Sequence, residues 1–337
     1  MRIHIDESQR SVTMKSAIVV DGTSFALNGR NVSYRFHVDR ASGDLVSDHF
    51  GRLVSETFAI EPVGRQGGWS TSAGVRREFP DLGRGDFRTP AFRVRTAAGG
   101  TVTALKYHSH DIRLGKTELE GLPSTIAGDS QDAATVIIHL LDAHSQIAAD
   151  LTYTVFPEHD AIVRSVKLFN GGTENITVEK LTSMSVDLPH QDYDMIGLRG
   201  EWSREFSKSR RSVDYGSQGF GSTAGYSSHM HNPFLALAPP TTSESHGEAW
   251  GFSLLYSGSF RAEVEKNPQG LVRTQIGLHD AQLSWPLLPG ESLLSPECVA
   301  VYSDTGLGGM SRRLHKLYHR HLIRSTFEDP AARPWNG

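Results

Sequence analysis

Apolar and polar residues alternate along most of the chain, in short runs that stop at turn residues. Ser33 to Val38 reads polar-apolar throughout, as a half-buried strand does. It follows Ser16 to Val20, the turn pair Asp21-Gly22, the segment Ser24 to Leu27, and Asn28-Gly29, a dipeptide that signals a two-residue type I′ hairpin. Ala91 to Thr96 alternates too. Gly99-Gly100 follows it, and Val102 to His108 is its expected hairpin partner. Further strands are predicted at Ala134–Leu141, Ile147–Phe156, Ala161–Phe169, Ile176–Val186, Phe234–Ala238, Ala249–Tyr256, Phe260–Glu265, Val272–Leu278 and Cys298–Tyr302. So many strands with almost no helix between them predict an all-β protein of two large packed sheets.

Two stretches depart from this pattern. Ser47 to Asp86 carries Gly64, Gly67, Gly68, Gly74 and Gly83 and reads as one or more long loops. Leu307 to Arg324 places Met310, Leu314, Leu317, Tyr318 and Leu322 at helical spacing, with Ser311 as the expected cap. A proline-broken tail follows from Phe327.

Composition narrows the function classes. The 337 residues carry a formal net charge of −4, with 38% hydrophobic and 21% charged positions, which suits a folded globular chain. Nucleic acid and anionic membranes attract concentrated positive charge, so neither is an expected partner. The basic run Lys208, Arg210, Arg211 sits among serines and reads as a solvated loop. The single cysteine, Cys298, leaves no disulfide within the chain. The first residues hold no apolar run of signal-peptide length, which puts the cytoplasm ahead of secretion. Two glycosylation sequons, Asn31-Val-Ser and Asn175-Ile-Thr, are of a kind common by chance.

Several constellations invite a chemical reading. The pairs His108/His110, His229/His231 and His315/His319 have spacings that share a face, but a zinc site needs three or four converging ligands. No HExxH run exists, and among 16 histidines some close pairs arise by chance, so no metal or cofactor is expected. Glu78, Asp81, Asp86, Asp187, Asp192 and Asp194 lie near loops, where a glycosidase needs two carboxyls about 5–9.5 Å apart. Most such carboxylates are instead solvated, capping or paired with arginine. There is no GxSxG elbow, and Gly219-Phe-Gly221 lacks a strand-to-helix context. Trp202 and Trp69 stand outside the predicted strands. Exposed indoles stack on sugars or partner surfaces, although many tryptophans simply cap a core.

Longer strings are more specific. Ser183-Met-Ser-Val-Asp-Leu-Pro, Asp192-Tyr-Asp, Gly200-Glu-Trp-Ser-Arg-Glu and His231-Asn-Pro-Phe-Leu-Ala-Leu stand in order. So do Gly247-Glu-Ala-Trp-Gly-Phe-Ser-Leu-Leu-Tyr-Ser-Gly-Ser-Phe, Leu288-Pro-Gly-Glu, Ser295-Pro-Glu, Tyr302-Ser-Asp and Gly309-Met-Ser-Arg-Arg-Leu-His. With Gly85-Asp-Phe-Arg-Thr-Pro-Ala-Phe and Gly121-Leu-Pro upstream, the chain from about Val32 to Pro334 resembles the N-terminal domain of family 36 glycoside hydrolases, the α-galactosidases.

The resemblance implies a β-supersandwich followed by a (β/α)₈ barrel that carries both catalytic aspartates, the nucleophile in a Lys-Trp-Asp motif. That tripeptide is absent here, and the chain stops soon after Arg333-Pro334. The expected division is therefore a sandwich over 1–305, a linker helix over 306–325, and a tail over 326–337 where the barrel would begin. The implied parent reaction is retaining hydrolysis of terminal α-galactosides by a full-length homo-oligomer, with this piece shaping the sugar pocket and inactive alone. One binding residue carries over by motif, Trp202. Arg65 and Glu56 lie near the family's site-bordering loop without a secure match. The alternatives are a free-standing carbohydrate- or protein-binding sandwich, and a hydrolase using an unrecognised carboxylate pair.

Overall fold

The computed structural model describes residues 17–54 and 74–323. Three antiparallel sheets dominate. The first is a meander of β1 (Ile18–Asp21), β2 (Ser24–Asn28), β3 (Val32–Val38) and β4 (Leu45–Arg52). The second is six-stranded. Its order is β13 (Gly216–Ser222), β16 (Phe260–Lys266), β17 (Val272–Leu278), β10 (Ile176–Leu188) and β18 (Trp285–Leu287), with β5 (Phe92–Arg95) also on β10.

The third sheet has ten strands. It runs β12 (Ser207–Ser212), β11 (Asp194–Arg199), β14 (His231–Ala238), β15 (Ala249–Leu254), β20 (Cys298–Ser303), β9 (Ala161–Asn170), β8 (Ile147–Phe156), β7 (Ala134–Leu141) and β6 (Lys106–Leu114), with β19 (Ser292–Leu294) on β9.

One face of the ten-stranded sheet shares a core with the other two sheets, through Tyr34, Phe36, Tyr153, Val186, Phe252 and Ile276 among others. The opposite face carries the helix α1 (Gly306–His321). β20 therefore alternates between two cores. Cys298, Ala300 and Tyr302 face the sandwich, and Val299 and Val301 face the helix. Met310, Leu314 and Leu317 bury the apolar stripe of α1 against β20 and β15. Gly251 on β15 permits the approach, because a Cβ there would stand 2.7 Å from Met310 Sδ. The helix is no free strut, and no helix among the described residues is long and apolar enough to cross a membrane.

Several sequence expectations need correction. Asn28-Gly29 does join a hairpin, but Asn28 pairs with Ser33 and neither Asn28 nor Gly29 has positive φ, so the turn is not type I′. Gly29 is there because a Cβ would lie 2.6 Å from Asp160 Oδ1. β5 does not pair with the segment after Gly99; it joins β10, and β6 starts later and joins β7. Ser47 to Arg52 belongs to β4, where a bulge at its pairing with β3 puts Phe50 out of phase with Leu45 and Ser47 and hides the alternation. Lys208, Arg210 and Arg211 lie on a strand, β12. Ser311 sits inside α1, and Thr305 occupies the cap position.

Candidate functional site

β11 and β12 form a hairpin in register from Asp194↔Ser212 to Arg199↔Ser207, and residues 200–206 close it. The tip folds back on itself. Gly200 packs against the chain at Arg204 and Glu205, and its N–H donates to the Met230 carbonyl at 3.2 Å. The Arg204 N–H donates to the Glu201 carbonyl at 2.8 Å, which closes a turn over Glu201–Arg204. Ser203 has φ 63°, the left-handed value that a type II turn needs at its third position. Trp202 thus occupies the second, outward position of that turn. The Ser203 N–H donates to Glu205 Oε1 at 3.1 Å, and Arg204 pairs with Glu201. These bonds order the backbone and leave the indole 84% exposed.

The hairpin is anchored from below. Arg210 Nε donates to Asp194 Oδ2 at 2.6 Å, and its other nitrogens donate to the carbonyls of Thr242, Pro239 and Pro240. Gly197 lies under Phe220, where a Cβ would stand 2.8 Å from the ring. Phe206 and Met230 stand exposed on the described tip and on the neighbouring loop before β14. Phe206 also borders a groove of about 430 Å³ between the hairpin and α1, lined by Leu198, Phe234, Met310, Leu314 and Tyr318 among others.

The carboxylates are engaged elsewhere. Glu78 is fully buried and accepts from the hydroxyls of Tyr34 at 2.6 Å and Tyr153 at 2.8 Å; burial raises its pKa. Asp86 accepts from Arg88 and Arg273, and Asp187 from Arg273 and the Arg77 N–H. Burial opposes ionisation of both, but these guanidiniums hold both carboxyls below the usual range. Asp81 accepts from the Leu105 N–H at 2.7 Å, with Arg84 Nε only at 4.0 Å, and burial pushes it up to about 6. Asp192 is exposed and 3.2 Å from Lys266, and Asp194 belongs to Arg210. Among the described residues no two of the six face each other across an open cleft; Asp81 lines a small pocket with Asp44, which Arg77 and Arg84 hold.

The histidines disperse as well. His110 bonds the Tyr107 hydroxyl at 2.8 Å, on the far edge of the ten-stranded sheet from His231, which stacks on Phe220. Burial, with Arg199 and Arg211 nearby, lowers the His231 pKa. His315 and His319 are exposed on α1. No group of three or more possible metal ligands converges among the described residues. Gly219 and Gly221 lie on β13, against the backbone of β16. Trp69, Arg65, Glu56 and the segment from Arg324 onward lie outside the described residues.

Comparison with known proteins decides the affiliation. The profile of the "Glycosyl hydrolase family 36 N-terminal domain" matches residues 43–288, and that of "Melibiase" matches 292–335. The chain belongs to glycoside hydrolase family 36. It is 60% identical over 319 residues to Alpha-galactosidase 2 of Hypocrea jecorina, covering 94% of this chain and 43% of that protein. To Alpha-galactosidase C of Emericella nidulans it is 55% identical over 333 residues, covering 97% and 44%. Among solved structures, the family 36 α-galactosidase AgaB from Geobacillus stearothermophilus superposes with TM-score 0.88 at 37% identity, covering 93% of this chain and 44% of that one. The chain thus corresponds to the N-terminal domain of the family and spans less than half the length of the curated relatives it matches.

The sequence singled out Trp202, which the structure shows to be exposed, but not the exposed Phe206 and Met230 or the groove. The available signal was Gly200 followed by a run of polar residues and Phe206, between two segments able to pair.

Proposed function

We propose that this chain is the non-catalytic half of an α-galactosidase, forming one wall of a sugar pocket and inactive alone. The reaction it serves is retaining hydrolysis of terminal α-galactosides, which needs two carboxyls flanking the scissile bond. The six loop carboxylates that the sequence singles out are engaged with arginines, lysine, hydroxyls or backbone, and the catalytic pair is assigned to the barrel that the family carries next. The observation behind the reading is Trp202: an indole held almost wholly in solvent by an ordered turn, on a domain 60% identical to an α-galactosidase. Such a ring stacks on the apolar C–H face of galactose. The apolar groove beside it is then the seat of the barrel, and the complete protein works as a homo-oligomer.

The test is turnover of an aryl α-galactoside. The purified chain should give none. Fusing it to the portion of Hypocrea jecorina Alpha-galactosidase 2 that it does not match should give an active enzyme. Turnover by the isolated chain, in material free of host enzyme, would overturn the reading. A folded but dead fusion would do the same.

A further inference from the structure

The fold treats the two Asn-X-Ser/Thr sequences in opposite ways. Asn31 is committed: its backbone N–H donates to Asp160 Oδ1 at 2.7 Å and its side-chain Nδ2 to Asp160 Oδ2 at 2.9 Å. Arg313 holds the same carboxylate at 3.3 Å, so the Asn31 side chain, although exposed at the edge of a cleft lined by Arg30, Glu158 and His159, has its amide engaged. Asn175 stands free. It is exposed, it ends the loop between β9 and β10, and its amide has no partner among the described residues.

The loop that presents it is ordered. Asn170 Nδ2 donates to the carbonyls of Glu174 and Leu287, both at 2.9 Å, and the Gly172 N–H returns to Asn170 Oδ1 at 3.1 Å. Just past Asn175 the chain enters β10, where Ile176 pairs with Leu287 and Thr177 with Pro286. One more step of that ladder sets Asn175 opposite Leu288. Ile176 and Val178 are buried, so Asn175 and Thr177 share the outer face with Pro286 and Leu288. Pro286 and Leu288 are exposed, which gives a sugar's C–H face an apolar strip to rest on.

We propose that Asn175 is an N-glycosylation site whose first sugars lie along the Pro286–Leu288 strip. The acceptor motif is complete, with Thr177 two residues on. In the transfer, the Asn175 amide nitrogen attacks the anomeric carbon of a lipid-pyrophosphate-linked oligosaccharide presented by a cellular transferase. The N–C bond forms as the C–O bond to pyrophosphate breaks. The lipid pyrophosphate leaves, and the amide proton passes to a base of the transferase. This requires passage through the compartment that holds the donor, against the reading of the first residues as cytoplasmic.

The test uses the full chain behind an added secretory leader in a yeast or filamentous-fungal host. Intact mass before and after enzymatic deglycosylation, with peptide mapping, locates the sugar. A glycan on Asn175 is expected, lost in Asn175→Gln and Thr177→Ala and kept in Thr177→Ser. Cell-free translation into endoplasmic-reticulum microsomes should give the same mass shift without any need for secretion. An unmodified Asn175 in the secreted or microsome-translocated chain, or a glycan on Asn31 alone, would overturn the proposal.

Discussion

Arg273 and Asp187 face each other in the interior as a two-point pair, Nε to Oδ1 at 2.7 Å and Nη2 to Oδ2 at 2.8 Å. Both side chains are essentially without solvent contact. The same guanidinium reaches Asp86 at 2.9 Å, and Arg88 and Arg77 reach both carboxylates from the segment that follows residue 73. The network thus fastens that segment to β10 and β17. Replacing Arg273 with methionine strands negative charge where water cannot reach it. The expected loss is about 3–5 kcal/mol, the usual cost of breaking one side of a buried pair. Arg273→Lys should recover only part of it, because an ammonium has no planar fork. Urea unfolding followed by tryptophan fluorescence measures this. A midpoint unchanged in Arg273→Met would mean that the network holds nothing.

Asp81 behaves oppositely to its neighbours. The residue is 3% exposed, with the Leu105 N–H at 2.7 Å and Arg84 Nε at 4.0 Å, and burial pushes its pKa up to about 6. The folded state therefore holds a proton that the unfolded chain releases near the ordinary 3.8. Stability from this group is fully present below pH 3.8, falls as pH rises above it, and is lost once pH has risen through 6. An upward shift of this size corresponds to roughly 2–3 kcal/mol. Asp81→Asn should flatten this term, gaining on the native chain between pH 4 and pH 7.5 by that amount. The two unfolding curves measured at both pH values give the comparison. Parallel pH dependences would exclude the shift.

The C-terminal end of α1 should loosen in acid. His321 Nδ1 donates to the Ile126 carbonyl at 2.8 Å, so its Nε2 is left to accept from His159 Nε2 at 3.1 Å. Burial lowers both pKa values, and His159 is lowered further by the proximity of His321. Asp132, Glu158, Lys316 and Arg320 line the same pocket; the carboxylates raise the histidines' pKa values and the cations lower them, with burial the larger effect. Both histidines are neutral when folded, whereas the unfolded chain takes up protons below pH 6.5. Their contribution is present above that value and is lost as pH falls below it. The Ile126 amide, which donates to the His321 carbonyl at 2.6 Å, reports the event. Its hydrogen exchange, corrected for intrinsic rate, should speed up from pH 7.5 to 5.5. The acceleration should shrink in His159→Asn.

Strands were legible where apolar and polar residues alternate, as in β8, whose second face is partly exposed, and in β3, whose Ser33 and Arg35 are nevertheless buried, so that strand is not half-buried. β20 was legible for a different reason: buried on both faces, it reads as an unbroken apolar run, Cys298 to Tyr302. Reading failed where tertiary pairing overrode local pattern. Nothing near Gly99 says that β5 will choose β10 over the next segment, and nothing in Ser207–Ser212 says that Arg210 will find Asp194 and three carbonyls. The exposed β12 and the glycine-rich β13 have too few apolar residues to show a period. Trp202 was singled out through its motif, whereas the groove that Phe206 borders depends on where α1 lies. That in turn depends on Gly251, 45 residues after Phe206.

The last expectation concerns Trp202 itself. Because the indole is 84% exposed and the turn is held by backbone bonds and the Arg204–Glu201 pair, Trp202→Ala should leave stability within about 0.5 kcal/mol of the native chain. Its effect should appear only when the pocket is complete. In the fusion with the missing portion of Alpha-galactosidase 2, the aromatic area buried against galactose is worth roughly 1–2 kcal/mol after the cost of ordering. Trp202→Ala should then raise KM for an aryl α-galactoside by about 5–30-fold, with kcat changed much less, and Trp202→Phe should fall between. In the isolated chain one wall cannot offset the lost translational freedom, so free galactose should bind no tighter than high millimolar. Kinetics of the three fusions and a galactose titration of the chain's fluorescence measure these effects. An unchanged KM in an active Trp202→Ala fusion would remove Trp202 from the pocket.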